Sequence, residues 1–307
     1  MLKGSARAAL SSTVLAATTG AVGLVGAAPA AAAQFAVVDC RGNATALQPA
    51  INSAAPGAAL LVSGTCSGPF TINKDLTLIG LKPTVLDGNR AGSTVTVTGA
   101  VRVRLDTLTI TNGTGSGIRN NGGTVELTGS TVEHNTAGPG GGIYNDVNST
   151  VTLTGSTVRD NTSHSGGGII NFGAVRLTGS TVEHNTSTID GGGIYNNFNG
   201  TLTLTGSMVR DNTAARSGGG IYNIFNSKVT STSSTVGDNT AGAEGGGIWN
   251  DINSTVALIG STVGDNTAGT GGGVYNKDGT VTLTGSTVRN NRPDNCGGPV
   301  PVPGCTG

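Results

Sequence analysis

The sequence predicts an all-β fold: a single right-handed parallel β-helix, a solenoid of about 26-residue, three-strand coils with an N-terminal helical cap and cysteine-closed ends. Three observations carry this. A marker, Gly-Gly-Gly-Ile-Tyr-Asn with variations, places its Ile or Val at Ile118, Ile143, Ile169, Ile194, Ile221, Ile248 and Val274, recurring every 25 to 27 residues. Between markers runs a second motif, Thr-Val-Thr-Leu-Thr-Gly-Ser-Thr-Val-Arg-Asp-Asn-Thr, as at residues 150–162. The composition, with 53 Gly and only 3% aromatic residues, gives no single unit enough apolar surface for its own core, so successive units must cover one another.

Within a unit, Thr150 to Thr154 alternates Val151 and Leu153 with threonines, Thr157 to Arg159 turns Val158 inward, and Gly142 to Asn145 turns Ile143 inward. Alternating β-branched residues mark strands, and the Gly-Ser and Gly-Gly-Gly steps mark turns. No piece has helical spacing, which excludes a leucine-rich repeat, and a propeller blade needs about 40 residues.

Taken in order, residues 1–33 read as a signal peptide. Lys3 and Arg7 supply the positive start, Ala8 to Gly26 the apolar stretch, and Ala31-Ala32-Ala33 the small residues of a cleavage site, so secretion to the exterior is expected. Residues 34–58 form an N-terminal cap in which Thr45 to Ala54 is a short amphipathic helix with Thr45 as N-cap. The β-helix occupies 59–292, with less regular rungs around Ala59 to Val62, Leu76 to Ile79 and Thr94 to Val97. A Pro/Gly/Cys segment, 293–307, closes the stack, whose end edges would otherwise propagate. Four cysteines allow three pairings. Nearest-neighbour pairing of Cys40 with Cys66 and Cys296 with Cys305 is favoured because the array holds the two pairs at opposite ends. No Cys-x-x-Cys or nearby His supports zinc instead.

Stacked rungs set equivalent residues about 4.8 Å apart, so columns can be read directly. Asn135, Asn161, Asn185, Asn212, Asn239, Asn266 and Asn291 form one column, and Asn120, Asn145, Asn171, Asn196, Asn223, Asn250 and Asn276 another. Asparagine both donates and accepts along a column and tolerates the left-handed conformation of sharp corners.

The cap helix, the cysteine-ended strand and Phe-Thr-Ile-Asn-Lys-Asp-Leu-Thr-Leu-Ile-Gly at 70–80 resemble the N-terminal cap of pectin-lyase-like right-handed β-helices. The Gly-Gly-Gly-Ile and Val-x-x-Asn motifs resemble the repeats of chlamydial polymorphic outer membrane proteins, which carry Gly-Gly-Ala-Ile and Phe-x-x-Asn. The second resemblance implies adhesion. The first implies a polysaccharide lyase or hydrolase, yet no polygalacturonase-type Asn-Thr-Asp, Asp-Asp and Gly-His-Gly set is present.

Candidate sites follow from the columns. Tyr144, Tyr195, Tyr222, Trp249 and Tyr275 share one outward position, with Arg119 and Ile170 filling the other two rungs. They include every Tyr and the single Trp, a strip suited to stacking on sugar rings or simply to stabilising rungs. A charged column runs His134, Asp160, His184, Asp211, Asp238, Asp265 and Asn290, beside Glu133, Arg159, Glu183 and Arg210 of alternating sign. His184 between Asp160 and Asp211 has the makings of a general acid or base, although the alternation alone accounts for it. Asp211, Asp238 and Asp265 repel one another by about 0.9 kcal/mol per neighbouring pair in water. Solvated carboxylates tolerate this, and a hard cation such as Ca²⁺ would relieve it. No other cofactor is expected.

The threonine rows 150/152/154, 201/203/205 and 280/282/284 resemble an ice-binding lattice. Glu126, Arg176, Lys228 and Ile259 interrupt them, and threonine is a good exposed strand residue in any case. Asp87, Arg90, Arg102, Arg104 and Asp106 on the irregular rungs are where a small active site would hide, since short turns leave no walled cleft elsewhere. Net charge is zero, with no basic cluster, which argues against nucleic acid or anionic lipid as partners. The expected role is that of a secreted protein acting by surface contact, adhesin-like or binding glycan or cell envelope. A polysaccharide-acting enzyme and a passive surface protein are the alternatives.

Overall fold

The computed structural model describes residues 35–306; the expected signal peptide, 1–33, and its cleavage site lie outside the described residues. Those residues form a right-handed parallel β-helix in which every strand ladder is parallel and each coil stacks on the next in register. Strands β1 (Phe35–Asp39), β2 (Ala58–Ser67) and β4 (Leu76–Asp87) stack directly, with β3 (Phe70–Ile72) opening the second face. Three sheets result, of 19, 10 and 5 strands.

The largest sheet takes two strands from each later coil. Leu76–Asp87 is one long strand, but its successors split into pieces such as Thr150–Thr154 and Thr157–Arg159. The break falls at Gly155-Ser156, where Gly155 has φ of 53°. The smallest sheet, which contains Thr162–Ser165 and Thr186–Asp190, is a further short strand in some coils and dwindles to two residues at Thr213–Ala214 and Thr240–Ala241.

Inside the coil, Val, Leu and Ile columns are fully buried; Val151, Leu153, Val158 and Ile169 are each 0% exposed. Both asparagine columns lie inside the coil as well. Side-chain amides donate to the next rung's carbonyl oxygen at 2.9–3.0 Å from Asn135 through Asn291. From Asn120 through Asn276 the same bonds are 2.7–3.0 Å. Each such bond is worth about 1 kcal/mol net, and leaving one unmade costs more. The left-handed corner falls one residue before the first ladder, contrary to the expectation that the asparagines occupy it. His134, Asp160, His184, Asp211, Asp238, Asp265 and Asn290 have φ between 53° and 61°. His, Asp and Asn are the residues other than Gly that tolerate this region best, so backbone conformation alone accounts for the composition of that column.

The triple glycine is equally constrained. Gly218 has φ of 67°, and a Cβ on Gly219 would lie 2.5 Å from the carbonyl oxygens of Gly246 and Thr240 on the next coil.

The cap helix α1 (Leu47–Ser53) buries Leu47 and Ile51. Thr45 is not its N-cap. Ala46 occupies that position without a side-chain cap, while the Thr45 hydroxyl and amide both turn back to Asn43 Oδ1 at 2.9 and 3.1 Å. Asn43 closes its own Asx turn and so takes the hydroxyl that would have capped the helix. Gln48 exchanges two hydrogen bonds with the Thr71 backbone, which covers the first edge of the second sheet. Disulfides join Cys40 to Cys66 and Cys296 to Cys305, one near each end, in the nearest-neighbour pairing. Among the described residues no helix is long and apolar enough to cross a membrane.

Candidate functional site

The sequence-predicted aromatic strip is one column. Tyr144 pairs with Ile170, Ile170 with Tyr195, Tyr195 with Tyr222, Tyr222 with Trp249, and Trp249 with Tyr275. Arg119 begins it, its guanidinium 4.4 Å from the Tyr144 ring centre. Being on extended strands, the side chains stand perpendicular to the sheet and stack along the solenoid axis. Tyr195 and Tyr222 are 4.9 Å apart and tilted by 21°; Tyr222 and Trp249 are 4.1 Å apart and tilted by 3°. Tyr222 and Trp249 are only 6% and 4% exposed, packed with Ile224 and flanked by Phe225 and Ile252. Their faces are spent on each other, which leaves edges for contact. Burial, with the Asp190 charge adding to it, pushes the Tyr195 hydroxyl up to about 12 and that of Tyr222 further.

Charged side chains gather beside this column. Asp190 is buried and holds Arg216 in a two-point ion pair while accepting the Ser217 amide at 3.1 Å. Asp251, also buried, lies 3.5 Å from Lys277 Nζ, and the Trp249 indole N–H donates to Glu244 at 3.3 Å. Arg216, Tyr222, Glu244, Trp249, Asp251 and Lys277 line a depression of about 330 Å³, with Asp190 holding Arg216 from beside it. Sequence reasoning missed it, because the charges belong to two columns, Asp190 and Glu244 before the triple glycine and Asp251 and Lys277 after the ladder asparagine, which the sequence gives no reason to place beside one another.

The other expected sites are more dispersed. Arg159 pairs with Glu133 and Asp160, and Arg210 with Glu183 and Asp211, the complementary ladder expected. His184 stands exposed at its left-handed corner. Asp238 and Asp265 project from exposed corners. Among the described residues no group of three or more His, Cys, Asp or Glu is placed to hold a metal ion. The N-terminal charges do not converge. Arg102 and Arg104 pair with Glu126 at 3.4 and 2.9 Å on the threonine-row face, whereas Asp87 accepts from Asn89 and Asn112 at a separate corner.

A second outer column, on the other flank of the Asn120–Asn276 ladder, was not anticipated. Val147, Phe172, Phe198, Phe225 and Ile252 occupy the turns that follow the ladder asparagines. Phe198 and Phe225 stack at 5.0 Å with 7° between their planes, and Phe172 lies 6.2 Å from Phe198. Phe198, Phe225 and Ile252 have φ of 46°, 55° and 45°, and Asn199, Asn226 and Asn253 after them are left-handed too. Bulky and β-branched residues are outliers in this region, at about 1–2 kcal/mol each. The turns are held by the preceding side chain. Asn197 accepts the Phe198 amide and Asp251 the Ile252 amide, both at 2.8 Å. The outcome is an apolar ridge, with Val147 54% and Phe198 55% exposed. Beside it stand the Asn148, Asn199, Asn226 and Asn253 side chains, all exposed. A shorter turn at Phe172-Gly173 cuts a notch of about 490 Å³ into the ridge. The signal in the sequence was Asn-x-(Val, Phe or Ile)-Asn at 145–148, 196–199, 223–226 and 250–253: a large apolar residue where a polar turn is expected.

No protein-family model matches the chain, and no curated protein matches it. Among solved structures, ORF18 of Geobacillus virus E2 is similar, with TM-score 0.54 and 12% identity over 83% of this chain. The chain covers 62% of that protein's length, and the likeness is one of fold. An alginate lyase from Paenibacillus sp. str. FPU-7 aligns with TM-score 0.36 and 15% identity, covering 82% of this chain and 96% of that one.

Proposed function

We propose that this chain is an exported β-helix protein that binds polysaccharide by surface contact, with the Phe/Asn ridge as its contact line. The observation that carries this reading is the exposure of Phe198 beside Phe225 and Ile252, all held at unfavourable positive φ on successive coils. Strain of this kind persists only where the surroundings over-determine it, and it concentrates at functional sites. Ring edges, planar amides and the neighbouring threonine hydroxyls are uncharged groups of the kind that meet a sugar's apolar faces and hydroxyls. They repeat about every 4.8 Å, close to the length of one pyranose residue in an extended chain. The resemblance of the repeats to those of chlamydial polymorphic outer membrane proteins points the same way, toward adhesion.

The test is a pull-down of the purified chain on insoluble polysaccharides and cell-wall material, with the supernatant assayed for new sugar ends. Retention without product, reduced at least about tenfold in affinity, or about 1.4 kcal/mol, by Phe198→Asn with Phe225→Asn, is expected. Released product would overturn the reading in favour of a lyase or hydrolase. Absence of retention on the whole panel would leave a passive surface protein.

A further inference from the structure

The depression beside the Tyr/Trp column contains chemistry that the ridge does not use. Its charges are unequal. Asp190 and Arg216 satisfy each other, and Asp251 faces Lys277, whereas Glu244 has no cationic partner among the described residues. Glu244 is nevertheless positioned. One carboxylate oxygen, Oε2, accepts the Trp249 indole N–H at 3.3 Å and lies 3.4 Å from the Ser217 hydroxyl. Its other oxygen, Oε1, has no partner among the described residues. Tyr222 supplies an independent observation. It is 6% exposed and lines the depression, yet its hydroxyl finds no hydrogen-bond partner among the described residues. The ring is buried, but the hydroxyl is not among the buried polar atoms left without a partner, so it opens into the depression with its acceptor capacity free for a ligand.

We propose that this depression binds the protonated amine of an amino-sugar residue. The inference rests on the polysaccharide reading and adds the sugar class. An ammonium group has three N–H donors and one positive charge. Glu244 Oε1 and the Tyr222 hydroxyl accept two of the three, and the uncompensated carboxylate supplies the charge complement, making the Glu244 bond the stronger. Arg216 and Lys277, with side chains 61% and 55% exposed, keep donors free for the ring hydroxyl oxygens of the same residue. A uronate carboxylate would have to compete with Asp190 and Asp251 for Arg216 and Lys277, and it would leave the Glu244 charge uncompensated. An N-acetylated sugar would offer a single N–H and no charge.

The experiment is calorimetric titration of the whole chain with a short glucosamine oligomer and with the N-acetylglucosamine oligomer of equal length, at one ionic strength. The free-amine oligomer is expected to bind about tenfold tighter, and Glu244→Gln to bring the two to parity. Tyr222→Phe, which keeps the ring stack, narrows the preference about threefold. Equal affinity in the wild-type chain, or none for either oligomer, overturns the proposal. Equally tight binding of a lysine-rich peptide overturns the assignment to a sugar. Phe198→Asn with Phe225→Asn weakens both oligomers alike, so a missing preference and a failure of the ridge reading are told apart. Unchanged near-ultraviolet circular dichroism of Glu244→Gln shows that Trp249 keeps its stack.

Discussion

Two aromatic columns flank the same buried asparagine ladder, and they are opposite in character. Tyr195, Tyr222 and Trp249 precede the ladder residue, lie on extended strands and bury one another. Phe172, Phe198 and Phe225 follow it, and Phe198 and Phe225 sit in left-handed turns. Chemistry by itself would reverse the arrangement, since Tyr and Trp carry polar edges suited to half-wet contacts and Phe carries none. The backbone decides the matter. On a strand the side chain stands off the sheet and meets its neighbour one coil away, whereas the left-handed turn points the ring outward, where stacking covers only its faces. The first column therefore holds the coils together. The second is where stability has been given up for exposure.

If that contrast is right, truncating the first column is the most damaging change. Trp249→Ala removes a 4%-exposed ring stacked on Tyr222 and should cost about 3–5 kcal/mol. A fall in the thermal or urea midpoint checks it, and a loss below about 1 kcal/mol would show that the column contributes little.

Alkaline pH should separate the columns next. Tyr195 in the folded chain titrates near 12 against an ordinary 10.0, because burial favours the neutral phenol, and Tyr222 is raised as well. Unfolded tyrosines lose their protons first as pH rises. The stabilisation is therefore complete below pH 10 and lost progressively as pH climbs through about 12. The melting temperature should fall across that window, with tyrosinate absorbance rising at the unfolding transition. Tyr195→Phe with Tyr222→Phe should flatten the fall, and the Phe column has no counterpart to this behaviour.

The smallest effect on stability belongs to the ridge. Phe198→Asn with Phe225→Asn relieves about 1–2 kcal/mol of left-handed strain per site and forfeits about 0.5–1.5 kcal/mol of ring stacking. The unfolding free energy from urea titration should stay within about 1 kcal/mol of wild type or rise, even as polysaccharide retention is lost. A large drop would make the ridge a structural ladder like its neighbour.

The fold was legible because it is written in repetition. Val151, Leu153, Val158, Ile169 and the two asparagine series occupy their columns as their spacing requires, since parallel coils in register leave equivalent residues nowhere else to go. Composition and position also marked the Tyr/Trp column and the nearest-neighbour disulfides. Features that depend on one residue's backbone were harder to read. Thr45 promised a cap that Asn43 pre-empted, and the corner asparagines proved to be interior ladders with His or Asp taking the left-handed step.

The sequence by itself determined the solenoid, its period and which side chains stack, because a period specifies neighbours. Only the tertiary structure decided which outer ring is buried and which is presented, and which of the scattered charges meet. Exposure depends on turn conformation. Asp251 and Lys277 are neighbours in one column, but their meeting with Arg216 and Glu244 depends on segments from either side of the Tyr/Trp strand converging beside Trp249, a proximity that no single repeat encodes.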